Sequence, residues 1–147
     1  MSNPFAHIEL NTDDLAKAKK FYKSVFDWKM NDMPGVPYTM IDVGKGTGGG
    51  MQTKPMAEAP TSWLPYVEVS SVKGSLAKAT KAGARVVLDY MQIGTNGAIG
   101  VFLDPTGAAL GVWEAGKKTA AAAKKPAKKK AAAKKPAKKA AKKKAKK

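Results

Sequence analysis

The body of this chain is one pattern written twice. Residues 4–10, PFAHIEL, alternate in the manner of a half-buried strand and lead through NTDD into LAKAKKFYKSVF. There Leu15, Ala18, Phe21, Tyr22, Val25 and Phe26 recur at helical spacing, with lysines on the other face. Asn11, Thr12 and Asp13 are candidate caps for the start of that helix. Three short extended stretches follow, WKMND, PYTMIDV and GGGMQTK, separated by the turn-forming PGV and GKGT. A linker, PMAEAPTS, closes the first half. The order then restarts. WLPYVEVSS reads as a strand, and VKGSLAKATKAGA as a helix carrying Val72, Leu76 and Ala79 and stopping at Gly83. RVVLDYMQI, AIGVFLD and AALGVWE read as three more strands across the turns GTNG and DPTG. Two successive βαβββ units predict an α+β domain over 1–116, with modules at about 4–57 and 62–115.

Past Glu114 the composition changes to alanine, lysine and proline. AAAKKPAKK occurs at 121–129 and again at 131–139. Ala and Lys favour helix, but Pro126 and Pro136 interrupt it, like charges repel, and there is no apolar face to bury. Residues 117–147 are therefore expected to be disordered when free. The formal charge of +16 belongs to this tail, because residues 1–116 hold 11 basic and 11 acidic side chains, whereas 117–147 hold 16 lysines and no acid.

The chain has no cysteine, which excludes disulfides and thiolate chemistry. Its N-terminus lacks the sections of a secretion signal, and no apolar run approaches the ~18–20 residues that span a bilayer. The expected compartment is the cytoplasm.

The phrases HIELNTDDLAKAKKFYKSVFDW, WLPYVEVSSVKGSLAKATKAGARV and GVFLDPTGAALGVWE, in that order and spacing, resemble the vicinal oxygen chelate superfamily. That group includes glyoxalase I, bleomycin-resistance proteins and extradiol dioxygenases. The resemblance covers residues 4–115 and none of the tail. It implies that the tandem modules form a cup-shaped mixed sheet that takes a small ligand. In the enzymes the cup holds a divalent metal, with one ligand from each of four strands.

Carried over position by position, the resemblance leaves few ligands. The first position falls on His7, the second near Gln52, the third on Leu64 and the fourth on Gly111. A catalytic divalent site needs about three protein ligands with one open position. Only His7 matches, so no tightly held metal is expected, and at most a divalent ion held weakly at His7. Ring cleavage through a two-His-one-carboxylate set is excluded because the chain has a single His.

His7 and Glu9 stand two apart and share a strand face. The pair suits general base work, with the carboxylate raising the imidazole pKa. The plainer alternative is a hydrogen-bonded His lining the cup or a dimer interface. By the same alternation Gln52, Tyr66, Glu68 and Trp113 are candidates for the ligand pocket, although aromatics of this kind also line ordinary sheet cores. GKGTGGG at 44–50 leads into a strand instead of a helix, so it is read as a turn and not a phosphate loop.

The tail resembles the C-terminal tails of linker histones and of bacterial histone-like proteins. Lys124, Lys125, Lys128, Lys129, Lys130, Lys134, Lys135, Lys138, Lys139, Lys142, Lys143 and Lys144 are the candidate contacts to DNA or another polyanion. With no aromatic, Arg, Asn or Gln to read bases, such binding would ignore sequence and depend on salt. Two accounts of the whole follow. In one, a small-molecule binder or metal-independent enzyme is tethered to DNA. In the other, a dimeric scaffold without chemistry coats the nucleoid. A metal-dependent lyase or dioxygenase with atypical ligands is a third.

Overall fold

The structure is a computed structural model that describes residues 2–116. The tail expected to be disordered, and the lysines expected to contact DNA, lie outside the described residues. Ten elements follow the predicted order: β1 (Phe5–Thr12), α1 (Leu15–Val25), β2 (Lys29–Asp32), β3 (Tyr38–Asp42), β4 (Gly49–Thr53), β5 (Ser62–Glu68), α2 (Val72–Lys81), β6 (Arg85–Ile93), β7 (Gly97–Leu103) and β8 (Ala109–Ala115).

The strands form one mixed sheet in the order β2-β3-β4-β1-β5-β8-β7-β6. Each module contributes four neighbours, with β1 parallel to β4 and β5 parallel to β8. The modules join where β1 runs antiparallel to β5, and Ile8 opposite Pro65 lies at the centre of that seam. GKGTGGG connects β3 to β4, strand to strand, as expected of a turn.

Both helices lie on the same face of the sheet. Leu15, Ala18 and Tyr22 of α1 pack toward Leu10, Ile41 and Met51, while Val72 and Leu76 of α2 pack with Ala98 and Val112. Strand alternation puts Leu10, Val67 and Val112 on one side, so His7, Glu9 and Tyr66 point to the other. The second module is packed more closely. A Cβ at Gly100 would stand 2.8 Å from Leu76 Cδ1 and 3.0 Å from Val72 Cγ1, so the glycine gives these two side chains of α2 room against β7, and a larger residue would make them shift. By contrast, α1 has no buried residue.

Capping differs from the sequence expectation at α1. Asp14 is the cap, its carboxylate accepting from the Lys17 N–H at 2.8 Å. Thr12 accepts from the Asp14 N–H, Asn11 turns into the open face, and Asp13 leaves the helix to pair with Lys54. At α2, Ser71 caps the Gly74 N–H, and the Glu114 carboxylate on β8 accepts from the Val72 N–H. Gly83 follows the helix at φ +93, a left-handed position that glycine adopts freely.

The linker between modules is held at its ends. Lys54 donates to the Ala57 carbonyl and pairs with Asp13 at 2.7 Å, and the Thr61 hydroxyl donates to the same aspartate at 3.1 Å.

Candidate functional site

His7, Glu9 and Asn11 occupy alternate positions of β1 on the face away from the helices. Strand pairing supplies their neighbours. Glu9 lies opposite Gly50 on β4 and Leu64 on β5, Asn11 opposite Gln52, and His7 opposite Tyr66. Tyr38 arrives from β3, opposite Gln52.

Glu9 is the centre of this group and only 7% exposed. Its Oε1 accepts from Gln52 Nε2 at 3.1 Å, Asn11 Nδ2 at 3.2 Å and Tyr66 Oη at 3.3 Å. Gln52 Nε2 also donates to Asn11 Oδ1 at 3.1 Å. Burying a carboxylate is costly unless donors replace its water, and three side chains do so on one oxygen. Oε2 takes part in none of these bonds. The Tyr38 hydroxyl also stands at the carboxylate, and its hydrogen bond to Glu9 is one of the causes that raise the phenol pKa.

His7 Nε2 lies 2.7 Å from the Tyr38 hydroxyl, a bond that either partner can donate. The two rings stack at 6.3 Å, and Tyr66 meets His7 edge-on at 6.2 Å. Burial lowers the imidazole pKa, outweighing the opposing charge of Glu9. The sequence expectation of a carboxylate-raised His7 is thus reversed, because loss of water disfavours the cation more than Glu9 favours it. The Tyr38 and Tyr66 hydroxyls are pushed above their ordinary value, by burial first and then by the Glu9 charge, so both stay protonated donors.

Two glycines make room for the phenol rings. A Cβ at Gly50 would stand 2.1 Å from the Tyr38 hydroxyl oxygen, and one at Gly111 would stand 2.3 Å from the Tyr66 ring. These glycines are equivalent in the repeat, since Gly50 lies beside Glu9 just as Gly111 lies beside Tyr66. By this equivalence the second ligand position implied by the resemblance corresponds to Gly50, two residues before Gln52 on the same strand. Among the described residues no group of three His, Cys, Asp or Glu side chains comes together as a metal site.

Of the predicted site residues, the structure brings His7, Glu9, Gln52 and Tyr66 together. Glu68 and Trp113 pair across β5 and β8 on the same face. Glu68 is exposed, Trp113 is half-buried, and neither joins the Glu9 network. Sequence reasoning missed Asn11 and Tyr38. The alternation that selects Glu9 from His7 selects Asn11 next, but NTDD drew it toward capping. Tyr38 is placed only by the β3–β4 register, which a single sequence does not reveal.

Residues 5–44 match the family model described as "Bleomycin resistance protein-like N-terminal". The chain is 33% identical over 121 residues to proteins of Mycobacterium bovis and Mycobacterium tuberculosis that carry the name "Putative glyoxylase CFP32". The match takes in 78% of this chain and 46% of each relative, so the chain spans about half the length of the curated relatives it matches. Among solved structures, methylmalonyl-CoA epimerase from Mycobacterium tuberculosis superposes with a TM-score of 0.57 at 16% identity, over 80% of this chain and 91% of that one. Homoprotocatechuate 2,3-dioxygenase from Brevibacterium fuscum, in complex with 3,4-dihydroxyphenylacetate, gives a TM-score of 0.57 at 16% identity, over 76% of this chain and 36% of that one. The two-module sheet with two helices is the glyoxalase/bleomycin-resistance fold.

Proposed function

We propose that the two-module domain binds a small molecule in the cup without a tightly held metal, and that residues 117–147 tether it to DNA or another polyanion. The Glu9 arrangement carries the first half. One oxygen is fixed by three donors, and a neutral imidazole and two phenols stand beside the carboxylate. A fixed, buried carboxylate favours a ligand that donates a hydrogen bond or carries positive charge. If the bound molecule has an acidic C–H or O–H, Glu9 and His7 are the groups placed to accept its proton.

The residues do not fit a divalent ion. Of the four positions His7, Gly50, Leu64 and Gly111, only His7 carries a ligating group, and the rings of Tyr38 and Tyr66 fill the space that longer side chains at the two glycines would need. The reading that calls for a metal-dependent lyase or dioxygenase therefore has no donor set to stand on. The 33% identity to a protein named as a glyoxylase supports the fold and a small-molecule role, not that protein's reaction.

A thermal-shift screen of metabolites on the full chain tests the cup. A true ligand raises the melting temperature, with a stabilisation of about 2.7 kcal/mol at a hundredfold excess over Kd. The gain should vanish in Glu9→Gln and His7→Gln. Hits that survive both substitutions would place the ligand elsewhere, and stoichiometric uptake of zinc, nickel or iron would overturn the metal-free reading.

Sixteen lysines without an acid support the tether. If ~8 of them engage duplex DNA, log K should fall against log salt with a slope of roughly −7. Truncation after Gly116 should abolish retardation of DNA in a gel, and retardation by the truncated domain would sink the assignment to the tail. Two copies joined through their domains would present two tails to one duplex and gain avidity.

A further inference from the structure

His7 Nε2 and the Tyr38 hydroxyl oxygen stand 2.7 Å apart, so a hydrogen lies between them. Either partner can carry it, and the two choices give His7 opposite tautomers. If the phenol donates, Nε2 is bare and Nδ1 holds the ring proton. If Nε2 donates, Nδ1 is bare and the phenol hydrogen goes elsewhere. The surroundings decide between them.

The Tyr38 hydroxyl has a second acceptor in reach. It lies where a Cβ at Gly50 would stand, and Gly50 pairs with Glu9 in the β1–β4 register. Its hydrogen bond to the Glu9 carboxylate is among the causes that push the phenol upward. One O–H thus faces two acceptors, a neutral imidazole and a carboxylate anion. A hydrogen bond to an ionised acceptor is roughly twice as strong as a neutral one. Glu9 is also buried, so each donor it gains offsets lost hydration. The phenol hydrogen therefore goes to Glu9. Two bare lone pairs repel at 2.7 Å, so Nε2 must then hold the hydrogen that it donates to the phenol oxygen.

The geometry points to Tyr38 as a positioning residue, whose hydroxyl links Glu9 to His7 Nε2 and leaves Nδ1 as the open acceptor of the ring. This rests on the small-molecule reading of the cup and says which atom of His7 serves it. Asn11, Gln52 and Tyr66 spend their donors on Glu9 Oε1, so they hold the carboxylate while Tyr38 alone couples it to the imidazole. None of these six side chains is a cation while His7 is neutral. The group therefore takes a molecule by its O–H or N–H groups and disfavours carboxylates and phosphates. A proton accepted from such a group comes to rest on Nδ1, and the ligand keeps the electron pair of the broken bond. The Nε2–H bond to Tyr38 stays in place throughout.

The chain has one histidine, so a long-range proton–nitrogen correlation spectrum of the full chain shows a single imidazole. At a pH where His7 is neutral, the wild type should show a protonated Nε2 and a bare Nδ1. Free imidazole side chains lean the same way, so the variants carry the test. In Glu9→Gln the phenol loses its anionic acceptor and can donate to Nε2, and the two nitrogen signals should move toward each other or exchange places. In Tyr38→Phe the Nε2–H loses its acceptor, and its proton signal should vanish into exchange with water. Circular dichroism checks that each variant is folded, and Tyr38→Phe, which keeps the ring, reads the link without disturbing the carboxylate. A bare Nε2 in the wild type overturns the assignment. So does a spectrum that neither substitution changes. No ligand is needed for any of these readings. A failed link therefore leaves the cup to the metabolite screen, and a screen without hits leaves the link standing.

Discussion

The two modules share an order of elements and divide the labour unequally. In the second, α2 buries Val72 and Leu76 against Ala98 and Val112, and Gly100 leaves these two side chains room. In the first, α1 buries nothing fully, and its exposed edge is aromatic. The cup shows the same asymmetry from the other face. The first module contributes His7, Glu9, Asn11, Tyr38 and Gln52, while across the seam the second sets Tyr66 opposite His7 and Leu64 opposite Glu9. A repeated unit need not repeat its tasks. One copy can hold the fold while the other carries polar groups and open surface that cost stability.

The sharpest way to break this comparison is to truncate matched positions. Leu76→Ala should cost about 2–5 kcal/mol, the usual loss for a core leucine. Phe21→Ala, measured in denaturant at concentrations that keep copies apart, should stay within about 0.5 kcal/mol. Equal losses would mean that α1 is as much a part of the core as α2.

A smaller effect separates the two inner strands. Glu9→Ala strands the donors of Asn11, Gln52 and Tyr66 and should cost about 1–3 kcal/mol. Glu68→Ala on β5 removes an exposed carboxylate and should change unfolding by less than about 0.5 kcal/mol. If both cost the same, the Glu9 network does not hold the cup.

The smallest expected effect concerns acid. Burial sets the folded pKa of His7 below the ordinary 6.5, so the unfolded chain binds the extra proton first as pH falls. Stability from this group is complete above about pH 6.5 and declines below it, until the folded pKa is passed. His7→Gln should flatten the melting temperature between pH 7 and 5. Asp13, Asp32 and Asp104, whose hydrogen bonds hold them below 3.8, titrate outside that window. A profile unchanged by the substitution would show that His7 is not titrating there.

The fold was legible because its signals are local. Alternation, helical spacing and Gly/Pro turns placed every strand within two residues at each end except β5, which stops at Glu68 where the expected strand ran on to Ser71, and Gly83 marked the end of α2. The cup was half legible. His7 and Glu9 followed from alternation on one strand, whereas Tyr38 depends on pairing between β3 and β4. The direction of the His7 shift was misread because a neighbouring charge shows in sequence and burial does not. Phe21 and Val25 fitted the apolar stripe but not the sheet, since the sheet offers α1 less surface than the stripe is wide.

The clasp of Lys54, Asp13 and Thr61 has a practical meaning for anyone wishing to remodel this chain. It anchors both ends of the stretch between the modules, while Pro55, Met56, Ala57 and Glu58 stay exposed. A loop fixed at its roots tolerates length at its tip, and doubling it costs only about 0.6 kcal/mol in closure entropy. Residues 55–58 are therefore a graft point, where a fluorophore, an epitope or a whole guest domain can be spliced in without disturbing the register of β1 against β5.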